Sequence, residues 1–322
     1  MFDHFVVSVL VAPLLTLIGT WWLADRIRPD LAARVIAWSS VVVATASFVN
    51  LLAFAFKALA ETRQVASIGN WSSAIVRADT EHVAWVSAVA LAWASLATLA
   101  AADGYRRYRR ALSTAWSTVD GLTVDEPTLD GLAGDGEVVV VPDERVDAFA
   151  LPGRRGQNGR VVVTSGMRAA VDSHLYGAIV AHEHAHLAGR HHQLVWLARL
   201  AGLLQPILWP VIKKVEYLVE RAADEAAARS VGDRDDMARA IAHAALAALG
   251  TDGTSRRRVG PLAMSSQPSV VPRRMAAMTS PAKARGWLLA LPLLLAAFTV
   301  AWTGECAYDL HELLALAGSG GA

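Results

Sequence analysis

The chain has 322 residues, a formal net charge of +1 and a hydrophobic share of 54%, with a mean hydropathy of +0.35. The near-neutral balance removes any bulk electrostatic case for nucleic-acid binding, and a single cysteine, Cys306, excludes an internal disulfide framework and a cysteine-based metal site. Apolar content this high points to membrane segments rather than to an ordinary soluble globule.

Four stretches contain no Asp, Glu, Lys or Arg and are long enough for a hydrocarbon core of ~30 Å. They are residues 4–24, 35–56, 83–102 and 286–304. The first does not read as a signal peptide, because Met1-Phe2-Asp3 carries no basic side chain and the apolar run is too long. Basic residues set the expected orientation. Arg26, Arg28 and Arg34 follow the first stretch, and Arg106, Arg107, Arg109 and Arg110 follow the third. Arg273, Arg274, Lys283 and Arg285 precede the fourth, while the tail beyond it holds Glu305, Asp309 and Glu312. The N-terminus is therefore expected outside and residues 103–285 in the cytoplasm. The arginine cluster after the third span reads as a stop-transfer anchor on anionic lipid. No charge lies inside the spans, which argues against a transporter or channel.

Residues 105–118 read as a helix running off the third span, and 120–135 as an acidic, turn-rich linker. Three β runs follow, at 137–141, 146–151 (stopped by Pro152-Gly153) and 160–164 (closed by Ser165-Gly166). They predict a small sheet whose edge strand can pair with an extended polypeptide. Asp172-Ser173-His174 is placed to cap the next helix.

That helix contains His182-Glu183-x-x-His186. Residues i and i+4 share a helix face, so both imidazoles can hold one metal ion, and Glu183 beside them can act as general base toward a water. The pattern is that of a zinc peptidase. His174, Arg190, His191 and His192 read as capping, solvated or interfacial groups. Residues 194–212 are apolar but broken by Arg199, Pro206 and Pro210, and their uncharged core is too short to span. Either an interfacial hairpin, flanked by Trp196, Trp209, Lys213 and Lys214, or burial in the cytoplasmic core accounts for them. A catalytic zinc site needs a third protein ligand. The helix expected at 215–229 offers Glu220, with Asp224 one turn on to support a histidine N–H; Glu216 and Glu225 compete. Residues 237–249 form an Ala-rich helix with His243 expected to pack. Arg256, Arg257 and Arg258 read as a solvated loop or lipid contact, and 260–272 as a candidate cleft lining.

The ordered set Ala148-Phe149-Ala150-Leu151-Pro152-Gly153, Val161-Val162-Val163-Thr164-Ser165-Gly166, His182-Glu183-x-x-His186 and Glu220-x-x-x-Asp224 resembles the gluzincin membrane peptidases of the BlaR/MecR type, which are related to HtpX-type proteases. The resemblance implies a mainly α membrane protein. Three transmembrane helices (1–102) would precede a cytoplasmic α+β zincin-like domain (103–285), with a fourth helix and short outside tail after it (286–322). It implies one Zn2+ held by His182, His186 and Glu220, catalysis by Glu183, and support from Asp224. The implied partners are the lipid bilayer and a protein substrate, either a transcriptional repressor or a membrane protein under quality control; a non-enzymatic signalling scaffold is the remaining reading. Two departures stand out. The chain stops at Ala322, so the penicillin-binding sensor domain of BlaR/MecR receptors is expected to be missing. Gln267-Pro268 stands where HtpX-like proteins often carry His-Pro, and Arg273 falls at their following arginine, as the candidate oxyanion or cleft residue.

Overall fold

The computed structural model describes residues 2–79, 83, 85–122, 137–154, 156–250, 271–279 and 286–319, with the backbone alone at 137 and 244–250. Most of the acidic linker, Arg256, Arg257 and Arg258, the Gln267-Pro268 pair and cleft segment 260–270 lie outside the described residues.

Helix α1 (Phe2–Val6), a π turn (Val7–Val11) and α2 (Ala12–Leu23) form one continuous apolar helix. A π turn leaves backbone oxygens that an α-helix would use. Here Ser47 Oγ donates to the Ser8 oxygen and Gln205 Nε2 to the Val9 oxygen, the latter at 3.0 Å. Helix α3 (Pro29–Ala60) begins on a proline, which has no N–H to leave unpaired. It is the enclosed member of the bundle. Ala32, Ala33, Ala37 and Ala44 are fully buried, and side chains this small let neighbouring helices approach closely. Two short helices, α4 (Arg63–Gly69) and α5 (Ser73–Ala78), lead to α6 (Trp85–Leu122).

Strands β1 (Glu137–Val141), β2 (Ala148–Leu151) and β3 (Arg160–Thr164) make a sheet in the order β1-β3-β2, with β1 parallel and β2 antiparallel to β3. β2 starts two residues later than its apolar run suggests, because the Asp147 N–H is taken by Thr164 Oγ1 (3.0 Å) rather than by the ladder. The sheet rests on the far end of α6. Trp116 is fully buried among Phe149, Leu151 and Val162, donates its indole N–H to the Pro152 oxygen at 3.0 Å, and carries the Arg154 guanidinium 4.5 Å above its ring.

The rest is helical: α7 (Ser165–Ala170), α8 (Ser173–Ala188), α9 (His191–Leu204), α10 (Val211–Val231), α11 (Arg234–Gly250), α12 (Val271–Thr279) and, after a 3₁₀ turn, α13 (Ala290–Ser319). Asn50 Nδ2 ties α13 to the N-terminal helix, donating to Thr303 Oγ1 at 2.8 Å and Ser8 Oγ at 2.9 Å.

Among the described residues, four helices are long and apolar enough to cross a membrane: Phe2–Leu23, Pro29–Ala60, Trp85–Leu122 and Gly286–Ser319. They overrun the charge-free stretches at several ends, α6 by a whole further arm to Leu122. Residues 194–212 are largely packed inward. Leu194, Val195, Ala198, Ala201, Leu208, Val211 and Ile212 join one cluster with Leu23, Ile27, Ala33, Ile36 and Ala37. The α9–α10 hairpin is thus buried against the candidate spans themselves, with Trp209 left 56% exposed at its tip.

Candidate metal centre

Asp172 starts α8. Its Oδ1 accepts the His174 and Leu175 N–H groups at 3.0 and 2.8 Å, satisfying donors that the first turn leaves open. One turn from its end, α8 presents His182 and His186, both buried. Helix α10 packs along α8, with Ala227 and Ala228 in one buried cluster with Ala178, and sets Glu220 opposite the two rings. His182 Nε2 lies 3.7 Å from Glu220 Oε2, His186 Nε2 lies 3.6 Å from Glu220 Oε1, and the two Nε2 atoms are 3.1 Å apart. Zn–ligand bonds of 2.0–2.2 Å in a tetrahedral array put donor atoms ~3.3 Å from one another. All three donors lie within 4.8 Å of one another, so this donor set fits one small divalent cation.

The backs of the rings sharpen the fit. His182 Nδ1 faces Asp224 Oδ1 at 3.1 Å, as a close charge contact rather than a straight hydrogen bond. His186 Nδ1 is 3.0 Å from His191 Nδ1. A proton on the Nδ1 of each ring leaves both Nε2 lone pairs facing the space between them, an arrangement suited to a cation there. His191, expected to be solvated or interfacial, is instead buried. Arg190 adopts a left-handed conformation (φ 49) at the α8–α9 junction, which turns the chain back and brings His191 onto His186. A Cβ built on Gly189 would sit 2.3 Å from His191 Nε2, so only glycine leaves room for the ring. This helix break is the reason periodicity does not reveal His191.

Arg273, the expected cleft residue, is placed elsewhere. Its Nη2 is 2.5 Å from Asp25 Oδ2 and its guanidinium lies 4.3 Å over the Tyr217 ring. The arginine at the site is the next one. Arg274 is buried, with Nη1 2.8 Å from Glu220 Oε2, Nη2 2.6 Å from Asp224 Oδ1 and Nε 2.8 Å from Asp224 Oδ2. Only this one-residue difference on α12 separates the two, and each acid takes the guanidinium nearest to it. Glu216 pairs with Arg199 (3.0 Å) and Glu225 with Arg234 (2.7 Å), so neither competing carboxylate joins the centre. His174 Nε2 lies 3.4 Å from Asp236 Oδ2, and His243 is exposed rather than packed.

Charge follows from this geometry. Burial disfavours protonation of His182, but Asp224 and Glu220 override it and raise its pKa to about 10. Burial holds His186 down at about 3 and His191 at about 4. For Glu220 burial opposes ionisation, yet Arg274 and His182 keep its carboxyl at about 2; Asp224 is held low by the same guanidinium. In the absence of a metal, a proton on His182 supplies the positive charge that a cation would bring. Glu183 is partly buried, and withdrawal from water raises it to about 7 against the pull of His182. The nearby Ala150 backbone opposes that rise. Helix α8 packs against β2, the outer strand of the sheet among the described residues, so a potential general base and that strand meet at the centre.

Residues 130–203 match Peptidase family M48. The match supports metallopeptidase chemistry, and hence a hydrolase. The matched stretch carries the three strands, His182, Glu183, His186 and His191. It ends before Glu220, Asp224 and Arg274, whose place at the site comes from the geometry alone. No curated protein and no solved structure matches the chain.

Proposed function

We propose that the chain is a zinc endopeptidase anchored by four membrane spans, with its N-terminus outside and residues 103–285 in the cytoplasm. The observation that carries this reading is the convergence of two imidazole nitrogens and the Glu220 carboxylate beside a carboxyl, Glu183, whose pKa lies near neutrality. Zinc in such a site lowers the pKa of bound water to about 7 and polarises a scissile carbonyl. His182, His186 and Glu220 hold the ion. Asp224 and His191 keep the Nδ1 protons in place, and Arg274 keeps Glu220 ionised. Glu183 takes a proton from the attacking water and delivers it to the departing amine. The edge of β2 receives the substrate backbone as an added strand.

Following the BlaR/MecR resemblance, the substrate is a cytoplasmic repressor whose cleavage switches gene expression. The packing of the α9–α10 hairpin against the spans favours a second reading, in which HtpX-like cleavage acts on membrane proteins close to the bilayer. Comparing protein fragments from cells carrying the parent chain and the Glu183→Gln variant separates them. Loss of fragments of one soluble repressor supports the first, and loss of membrane-protein fragments the second. Identical fragment patterns in both cells would refute the protease assignment.

A further inference from the structure

Three cations and one carboxylate meet where the first candidate span ends. Asp25 follows the last residue of α2 by two positions and is 43% exposed. Around it lie Arg273 Nη2 at 2.5 Å, Lys214 Nζ at 3.4 Å and Arg221 Nη1 at 3.8 Å. All three also surround the Tyr217 ring, at 4.3 Å for Arg273, 5.5 Å for Lys214 and 5.8 Å for Arg221. The other nearby acids on α10 are committed, Glu216 to Arg199 and Glu220 to Arg274. Among the described residues the cluster keeps two positive charges more than it neutralises. Lys214 and Arg221 are both buried, and Arg221 Nε is buried with no hydrogen-bond partner among the described residues. Burial lowers the Lys214 pKa although Asp25 attracts its charge.

The surroundings identify what supplies the missing negative charge. Trp21 and Trp22 are half-exposed at the end of α2, and Arg26 lies 4.6 Å over the Trp22 ring. Tryptophan and arginine at a span's end mark the headgroup level of a bilayer. Just below, Leu14, Leu15 and Ile18 expose an apolar strip on which an acyl chain can lie. We propose that Lys214, Arg221, Arg273 and Tyr217 form a binding site for a phosphate-ester anion, supplied by the headgroup of an acidic phospholipid. Asp25 competes with that phosphate for the same cations. Because Arg221 adjoins Glu220 and Arg273 adjoins Arg274, the lipid would bind against the two elements that carry the metal-site carboxylates and their guanidinium. The proposal does not depend on the peptidase reading.

The test uses the full-length protein in detergent with phosphatidylglycerol or phosphatidylcholine, counting retained lipids by native mass spectrometry. The parent is expected to retain phosphatidylglycerol selectively. Arg273→Gln should weaken that retention roughly fivefold, as loss of ~1 kcal/mol per basic residue implies, while Asp25→Asn should strengthen it. Opposite shifts cannot come from general loosening of the fold, which would weaken both variants alike. Equal retention of the two lipids by the parent, or variants moving in the same direction, would overturn the proposal. Displacement of phosphatidylglycerol by an equal concentration of inorganic phosphate would overturn its lipid source.

Discussion

At the scale of single residues, the candidate metal centre is set as much by what stands behind its three donor side chains as by those side chains themselves. His191 holds the back of His186, and Gly189 makes room for it. Gly189→Ala is therefore expected to push the His191 ring aside and to weaken zinc binding roughly 10–100-fold, the usual scale for losing such support. A competition titration against a chromophoric chelator measures it; unchanged affinity would mean that His191 does not orient His186. The charges give a second expectation. In the metal-free protein the His182 pKa is about 10, above its ordinary 6.5. The stability contributed by its proton is full below pH 6.5 and is lost as pH rises through 10. Zinc must displace that proton, so affinity should tighten by about tenfold per pH unit between roughly pH 7.5 and 9. A pH-independent affinity would contradict the charge state assigned to His182. His182, Glu183 and His186 are legible in the sequence because one helix carries all three and its period fixes their common face. Asp224 is legible by the same i, i+4 logic from Glu220. His191 lies across a left-handed break, and the choice of Arg274 over Arg273 depends on how α12 is set against α10 and Asp25. Neither is a property of local sequence.

At the scale of elements, α6 is both candidate span and support for the sheet. Trp116 is the contact through which it carries β2, with its ring fully buried and its N–H bonded to Pro152. Trp116→Ala should destabilise the domain by about 3–5 kcal/mol, the cost typical of emptying a large aromatic site, and denaturant unfolding reads it directly. A change below about 1 kcal/mol would show that the sheet does not depend on this anchor. Charge-free stretches locate the apolar slab, but a helix keeps its hydrogen bonds after leaving it. For this reason the ends of α3, α6 and α13 pass the limits read from composition. The pleat of the β2 run is visible in its alternating residues, whereas its true start is set by the Thr164 hydroxyl on Asp147, a contact from another strand. The α9–α10 hairpin shows a similar limit. Its apolarity suits lipid and protein interior equally, and its packing against α2 and α3 is not visible in that composition.

At the scale of the whole molecule, the candidate spans and the metal centre form one packed unit, because α9 and α10 leave the site and enter the bundle. Asp25, at the end of the first candidate span, reaches the same α10 and α12 that bring Glu220 and Arg274 to the centre. The account depends on one cation site with one adjacent base. Its most direct test is a zinc titration of the metal-stripped, detergent-solubilised protein with hydrolysis of an unfolded casein-type substrate as readout, run on the parent and on Glu183→Gln. Hydrolysis by the parent should rise to a plateau at one zinc per chain. The variant should take up the same single zinc while hydrolysing roughly 10²–10⁴-fold more slowly, the scale of a lost general base. Equal hydrolysis by the two proteins, or activity that does not follow zinc, would contradict it.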